Sequence, residues 1–281
     1  MKPGKYILST LLLLMSSVPS YGSSIIVVRN DNEIVIGTDS KAVSTARGDL
    51  SDAQSALSCK IIRADNVFIA FAGIAGIVPN NQRAIPQEFD LAEIMNKAAL
   101  GEGSIMDKAD TLAKAVDSVL LRMSEWARKK MPVLFEKMFL GRQSLQVVIA
   151  GMEDGSTTMV VMAFEPRISP SGEMEINIES RPCPGIACPA GLVYLFLGKH
   201  EAIDRYLPGN PEIWEDDPVE VVRKLLNIET TAERQTVGPP LDILRITKEG
   251  SEWIQKKEMC GDYSRPYKTS DQYWPIVSPD R

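Results

Sequence analysis

The pattern of apolar and polar positions divides the chain into strands, then helices, then strands again. Ser24 to Val28 is an apolar, β-branched run, Asn30 to Asn32 is a polar turn, and Glu33 to Gly37 alternates into a second strand. These segments predict a hairpin. The small and polar stretch from Ser44 to Ser58 reads as an exposed loop or a pair of short irregular strands. Cys59 to Arg63 and Val67 to Ala72 predict two more strands around an Ala64-Asp65-Asn66 turn, ending on the glycine-bearing Ala72 to Gly76. Ile77 to Gln87, with Pro79, Asn80, Asn81 and Pro86, reads as a loop.

The period then changes. Phe89, Leu91, Ile94, Met95 and Ala98 recur at helical spacing until Gly101 to Gly103 breaks the run. A longer helix starts at Ser104, where Asp107 three residues on completes a capping box. Met106, Ala109, Ala113, Val116, Leu120, Met123 and Ala127 form its apolar face, and Pro132 ends or kinks it. Leu145 to Gly151 and Thr157 to Phe164 predict a hairpin around Met152 to Gly155, and Glu173 to Ser180 and Leu192 to Leu197 predict further strands. Lys199 to Tyr206 reads as a short helix. Asp217 before Pro218 marks the start of another, with Val219, Val222, Leu225 and Leu226 on its apolar face. Leu241 to Thr247 and Glu252 to Lys256 are the last predicted strands. This order fits an α+β protein of two sheets with helices on their outer faces, whereas a Rossmann layout needs regular βαβ alternation. Neither a GxGxxG nor a P-loop sequence is present.

The first 22 residues have a different character. Lys2 and Lys5 make a basic start, Tyr6 to Val18 is leucine-rich and apolar, and Ser20 and Gly22 are small residues at −3 and −1 of a cut before Ser23. The segment reads as a secretory signal peptide, and its apolar core is shorter than the ~20 residues of a spanning helix. Residues 23–256 are then expected to form one domain and 257–281 a polar and aromatic C-terminal extension, and the expected location is periplasmic or secreted.

The net charge of −6 and the lack of a basic stripe argue against a nucleic-acid partner. No stable membrane insertion is expected once the signal is removed. Four cysteines, Cys59, Cys183, Cys188 and Cys260, permit three pairings. Cys183 and Cys188 bracket Pro-Gly-Ile-Ala and suit a local loop disulfide, with free buried thiols as the alternative. One histidine, His200, and no CxxC pair give no basis for a zinc site, and no cofactor is expected.

The candidate chemistry begins at Ser23. A serine at a free N-terminus carries a hydroxyl nucleophile and a base in one residue, because its α-amino group titrates near ~8 and can accept the hydroxyl proton. Such a site needs no histidine. It gains from a cation that lowers the amine pKa and a carboxylate that holds the cation, and Asp39 and Lys60 at predicted strand ends are the natural pair. A solvated strand-end charge is the bland alternative for each. His200, between Lys199 and Glu201, is the sole histidine available for a Ser-His-Asp arrangement.

Several short segments then agree in order and spacing with one family. Ser23 to Val28, Val35-Ile36-Gly37-Thr38-Asp39-Ser40-Lys41-Ala42, Cys59-Lys60-Ile61 and Ala70-Phe71-Ala72-Gly73 resemble the proteasome β-subunit family and its bacterial ring-peptidase relative, which are N-terminal-nucleophile hydrolases. Ser23 and Asp39 are 16 residues apart, as the nucleophile and aspartate are in that family. Val147 to Gly151 is similar to the family's central strand and Thr236 to Leu244 to its late glycine-bearing segment, so the resemblance covers most of residues 23–256.

The resemblance implies a four-layer αββα sandwich and assembly into a homo-oligomeric ring or partial ring. It implies Ser23 as nucleophile, Asp39 as carboxylate and Lys60 as cation. The Gly73 N–H would serve as oxyanion donor, Glu233 would stand where the family has an aspartate, and Phe71 would line the substrate pocket. Ser23 replaces the usual threonine, and Lys199 stands where the family has a serine beside the amine. Two functions follow: an exported hydrolase of peptide or other amide bonds, or a catalytically silent subunit that keeps the sandwich as a scaffold or binding module.

Overall fold

The computed structural model describes residues 23–44, 54–74, 90–186, 188, 191–257 and 260. The expected signal segment and its cut, the loop at 77–87, and the extension apart from Lys257 and Cys260 lie outside the described residues. Twelve strands and five α-helices are described: β1 (Ser24–Arg29), β2 (Glu33–Thr38), β3 (Lys41–Ser44), β4 (Gln54–Leu57), β5 (Ile61–Ala64), β6 (Val67–Gly73), α1 (Leu91–Ala99), α2 (Ile105–Lys130), α3 (Pro132–Met138), β7 (Leu145–Glu153), β8 (Ser156–Ile168), β9 (Met174–Cys183), β10 (Val193–Gly198), α4 (Glu201–Tyr206), α5 (Pro218–Ala232), β11 (Asp242–Thr247) and β12 (Gly250–Gln255). The strands form two five-stranded antiparallel sheets, ordered β10-β1-β2-β11-β12 and β5-β6-β7-β8-β9, and a β3-β4 ribbon.

The near-continuous apolar runs are explained by burial on both sheet faces, which removes the usual in/out alternation. On β1, Ile25 and Val27 point between the sheets, while Ile26 and Val28 pack against α4 and α5. On β6 the same period of two sends Phe68, Ala70 and Ala72 between the sheets and Val67, Ile69 and Phe71 toward α1 and α2. Three apolar layers thus separate four structural ones: helices, sheet, sheet, helices.

The long helix forms as its caps predict. The Ser104 side chain accepts from the Asp107 N–H, and the Asp107 carboxylate accepts from the Ser104 N–H. The chain breaks at Met131 (φ −140°, ψ 60°), because the residue before a proline is driven out of the helical region, and Pro132 then opens α3 at its first turn. β8 and β9 run past their sequence boundaries into a long ribbon with Met159 opposite Cys183 and Ile168 opposite Met174. Cys183 pairs with Cys188, as the loop reading expected, and Cys59 pairs with Cys260 across a separation of 201 residues.

Candidate active site

The sixteen-residue spacing of Ser23 and Asp39 is the closure of the first hairpin. In the β1–β2 register Ile25 faces Thr38, so the next positions out, Ser24 and Asp39, meet at its open end. There the Asp39 N–H donates to the Ser24 carbonyl at 3.1 Å, and the Ser24 N–H donates to Asp39 Oδ1 at 2.9 Å. Residue 23 is consequently fixed beside the Asp39 carboxylate by backbone geometry.

β10 holds the other side of Ser23. Ser24 faces Gly198, and the Lys199 N–H donates to the Ser23 carbonyl at 2.6 Å. Gly198 has φ +75°, and a Cβ there would stand 2.1 Å from the Ser23 oxygen and 2.9 Å from the Ala72 Cβ, so only glycine fits this approach. The same contact brings the end of β6 next to residue 23. The Gly198 N–H also donates to the Gln146 side-chain oxygen at 2.6 Å, which ties this strand to β7 in the other sheet.

Lys60 arrives from the opposite sheet, in the lead-in to β5. Its Nζ donates to Asp39 Oδ1 at 2.5 Å and to the Lys41 carbonyl at 2.7 Å. Asp39 is 0% and Lys60 3% exposed. The second carboxylate oxygen, Oδ2, accepts from the Lys41 and Gly238 N–H groups at 2.9 and 3.1 Å, so both oxygens are satisfied. Burial pushes the Lys60 ammonium below the ordinary lysine value, and attraction and hydrogen bonding to Asp39 act against that shift. The two strand-end charges are therefore not solvated. Because desolvation offsets most of the attraction in a buried pair, stability alone is a weak reason for one here.

The remaining residues singled out in the sequence fall in different places. Gly73 ends β6 at φ +109°, where a Cβ would lie 2.2 Å from the Ser144 carbonyl oxygen. Phe71 is 5% exposed and its ring belongs to the apolar layer beneath the helices, while its N–H donates to the Lys60 carbonyl at 3.3 Å. Half-buried Glu233 follows α5, and its carbonyl accepts from the Thr236 and Val237 N–H groups, turning the chain toward Gly238. Lys199 directs its ammonium to Glu201 at 3.5 Å, and the His200 Nδ1 lies 2.9 Å from the Asp204 carboxylate on the same helix. The Lys41 carbonyl, the Gly238 N–H and the Gln146 amide are site components that residue type could not reveal, since two of them act through the main chain. Also missed was a second buried ion pair, Lys257–Asp242, at 2.7 Å.

No protein-family model matches the chain, and no curated protein does. Among solved structures it is similar to the Gly-1 mutant of Anbu from Hyphomicrobium sp. strain MC1, at 14% identity, over 84% of this chain and 86% of that one, with a TM-score of 0.47. At that level the likeness adds nothing to the architecture read from the chain's own layers and sheets.

Proposed function

We propose that this protein is an exported N-terminal-nucleophile hydrolase that cleaves peptide or other amide bonds through an acyl-enzyme on Ser23. The observation that carries the reading is the buried Asp39–Lys60 pair, joined through Asp39 Oδ1 to the Ser24 N–H. Removal of residues 1–22 would free the Ser23 amine beside a fixed cation and carboxylate. The amine, with its pKa depressed by the Lys60 ammonium, takes the hydroxyl proton as Ser23 Oγ attacks the substrate carbonyl. The Gly73 N–H stabilises the tetrahedral oxyanion, the leaving amine takes the proton, and water then hydrolyses the Ser23 ester. Glu233 is assigned to support of the amine, as in the family that the sequence resembles, whereas the Phe71 ring, packed beneath the helices, departs from the pocket role that the resemblance implied. The same resemblance supports assembly of identical chains into a ring or partial ring.

The test starts with the intact mass and N-terminal sequence of the exported protein, followed by covalent labelling with an amide-directed electrophile such as a β-lactone. A chain beginning at Ser23 that is labelled there, with Ser23→Ala losing at least about a thousandfold in amide hydrolysis, is the expected result. A retained leader, or a Ser23 start without labelling, would move the protein to the silent-subunit reading.

A further inference from the structure

The second buried pair lies against the first. Asp242 opens β11 opposite Thr38, one residue before Asp39. Its Oδ1 accepts the Lys257 N–H at 2.8 Å and its Oδ2 lies 2.7 Å from Lys257 Nζ, with both side chains almost wholly buried. Lys257 Nζ also donates to the Ser58 carbonyl at 2.8 Å, two residues before Lys60. Beyond it, the Cys59–Cys260 disulfide fastens the chain to the residue adjoining Lys60. The Cys260 sulfur, which has no proton to give, stands 3.9 Å from Asp242 Oδ2. Lys257 and Cys260 thus strap the segment 58–60 from outside by one hydrogen bond and one covalent bond.

We propose that Lys257, held by Asp242, is a positioning residue of the Asp39–Lys60 site: it fixes the main chain that carries Lys60 and opposes the charge of its ammonium. This deepens the hydrolase reading and rests on it. Among the described residues the charged groups acting on Lys60 are Asp39 just after β2, Asp242 on β11 and Lys257 after β12; Lys41 presents its carbonyl and turns its own ammonium to the Arg234 carbonyl. The ammonium of Lys257 disfavours the charged form of Lys60, and Asp242 acts in the opposite sense. A surface lysine would be screened by water, whereas this one is walled in with its target.

The experiment has two independent readouts on the full chain and on any form beginning at Ser23. The first is the titration of the Lys60 side chain by NMR of 13C-labelled lysine, its signal identified by its loss in Lys60→Met. The second is the rate of β-lactone labelling at Ser23 across pH. In Lys257→Met the Lys60 midpoint is expected to move to higher pH and labelling to slow by about 10- to 100-fold, whereas the exposed Lys248→Met leaves both unchanged. Because Lys257→Met strands a buried carboxylate, Asp242→Asn/Lys257→Met is measured beside it; with both charges gone its labelling is still expected to slow, since the anchor of Lys257 on the Ser58 carbonyl is lost. An unmoved Lys60 midpoint in Lys257→Met, or unslowed labelling in the folded double variant, overturns the proposal. Absent labelling in the unaltered protein, with the Lys60 midpoint still moving, rejects the hydrolase reading and upholds the coupling of the two pairs.

Discussion

Glu229 shows how one buried carboxyl can govern an element at a distance. It lies on α5 with its Oε2 accepting from the Ala202 and Ile203 N–H groups, the first donors of α4, at 3.0 and 3.2 Å. Burial raises its pKa above the ordinary 4.5, the two backbone donors work against that, and Glu201 and Glu233 add to it. The folded state therefore binds this proton more tightly than the unfolded chain. Stability from the group is full below about 4.5 and declines as pH rises through the folded pKa. Thermal melts from pH 4.5 to 8 should show the unaltered protein losing ground steadily to Glu229→Gln, which keeps an acceptor oxygen and has no charge to desolvate. Glu229→Ala, which strands both donors, should cost about 1–3 kcal/mol at every pH. Asp39 and Lys60 were legible because their positions repeat a motif spacing; Glu229 was not, since its partners lie 26 and 27 residues away on another helix. Lys257 escaped for the same reason, appearing in sequence as one more charge in a polar tail.

At the scale of elements, the contact between β2 and α5 sets how closely the helix layer approaches the sheet that carries Ser23. Gly37 sits beneath Val222 and Leu226, and a Cβ on it would meet Val222 Cγ1 at 2.2 Å and Leu226 Cδ1 at 2.8 Å. Since neither neighbour can retreat within a buried layer, overpacking should outweigh the entropy gained by replacing glycine, and Gly37→Ala should destabilise by about 1–3 kcal/mol in urea melts. Gly209→Ala, where nothing lies within 4 Å, should stay within about 0.5 kcal/mol. Adding Val222→Ala to Gly37→Ala should recover part of the loss, and a purely additive double variant would refute steric overlap as the cause. Most of these elements could be read from periodicity: β1, β2, β6, β7, α1 and the capped start of α2 fall where apolar spacing and caps put them. β3 and β4 could not be delimited, because a polar, small-residue ribbon carries no alternation strong enough to distinguish it from loop.

For the whole molecule, the layer order followed from the order of elements, since two sheets flanked by helices is the packing in which every apolar face is covered. The long-range staple did not follow from it, because a Cys59–Cys260 pairing requires Cα atoms 5.6 Å apart that only the finished fold brings together. This bond closes a loop of separation 201, from just before β5 to beyond β12, while Cys183–Cys188 closes a loop of separation 5. Chain entropy then assigns about 5 kcal/mol to the former and about 2 kcal/mol to the latter. Paired alanine variants should therefore differ, with Cys59→Ala/Cys260→Ala lowering the urea midpoint clearly more than Cys183→Ala/Cys188→Ala. The entropic account requires that the two ends part only when the domain unfolds. Lys257 bears on that requirement, because its ammonium is anchored to both Ser58 and Asp242 and keeps the strap seated while the sheets are intact. If the strap instead detached alone, the Cys59–Cys260 variant would melt at the unaltered midpoint, and fast amide exchange at Lys257 in the otherwise protected protein would reveal the detachment.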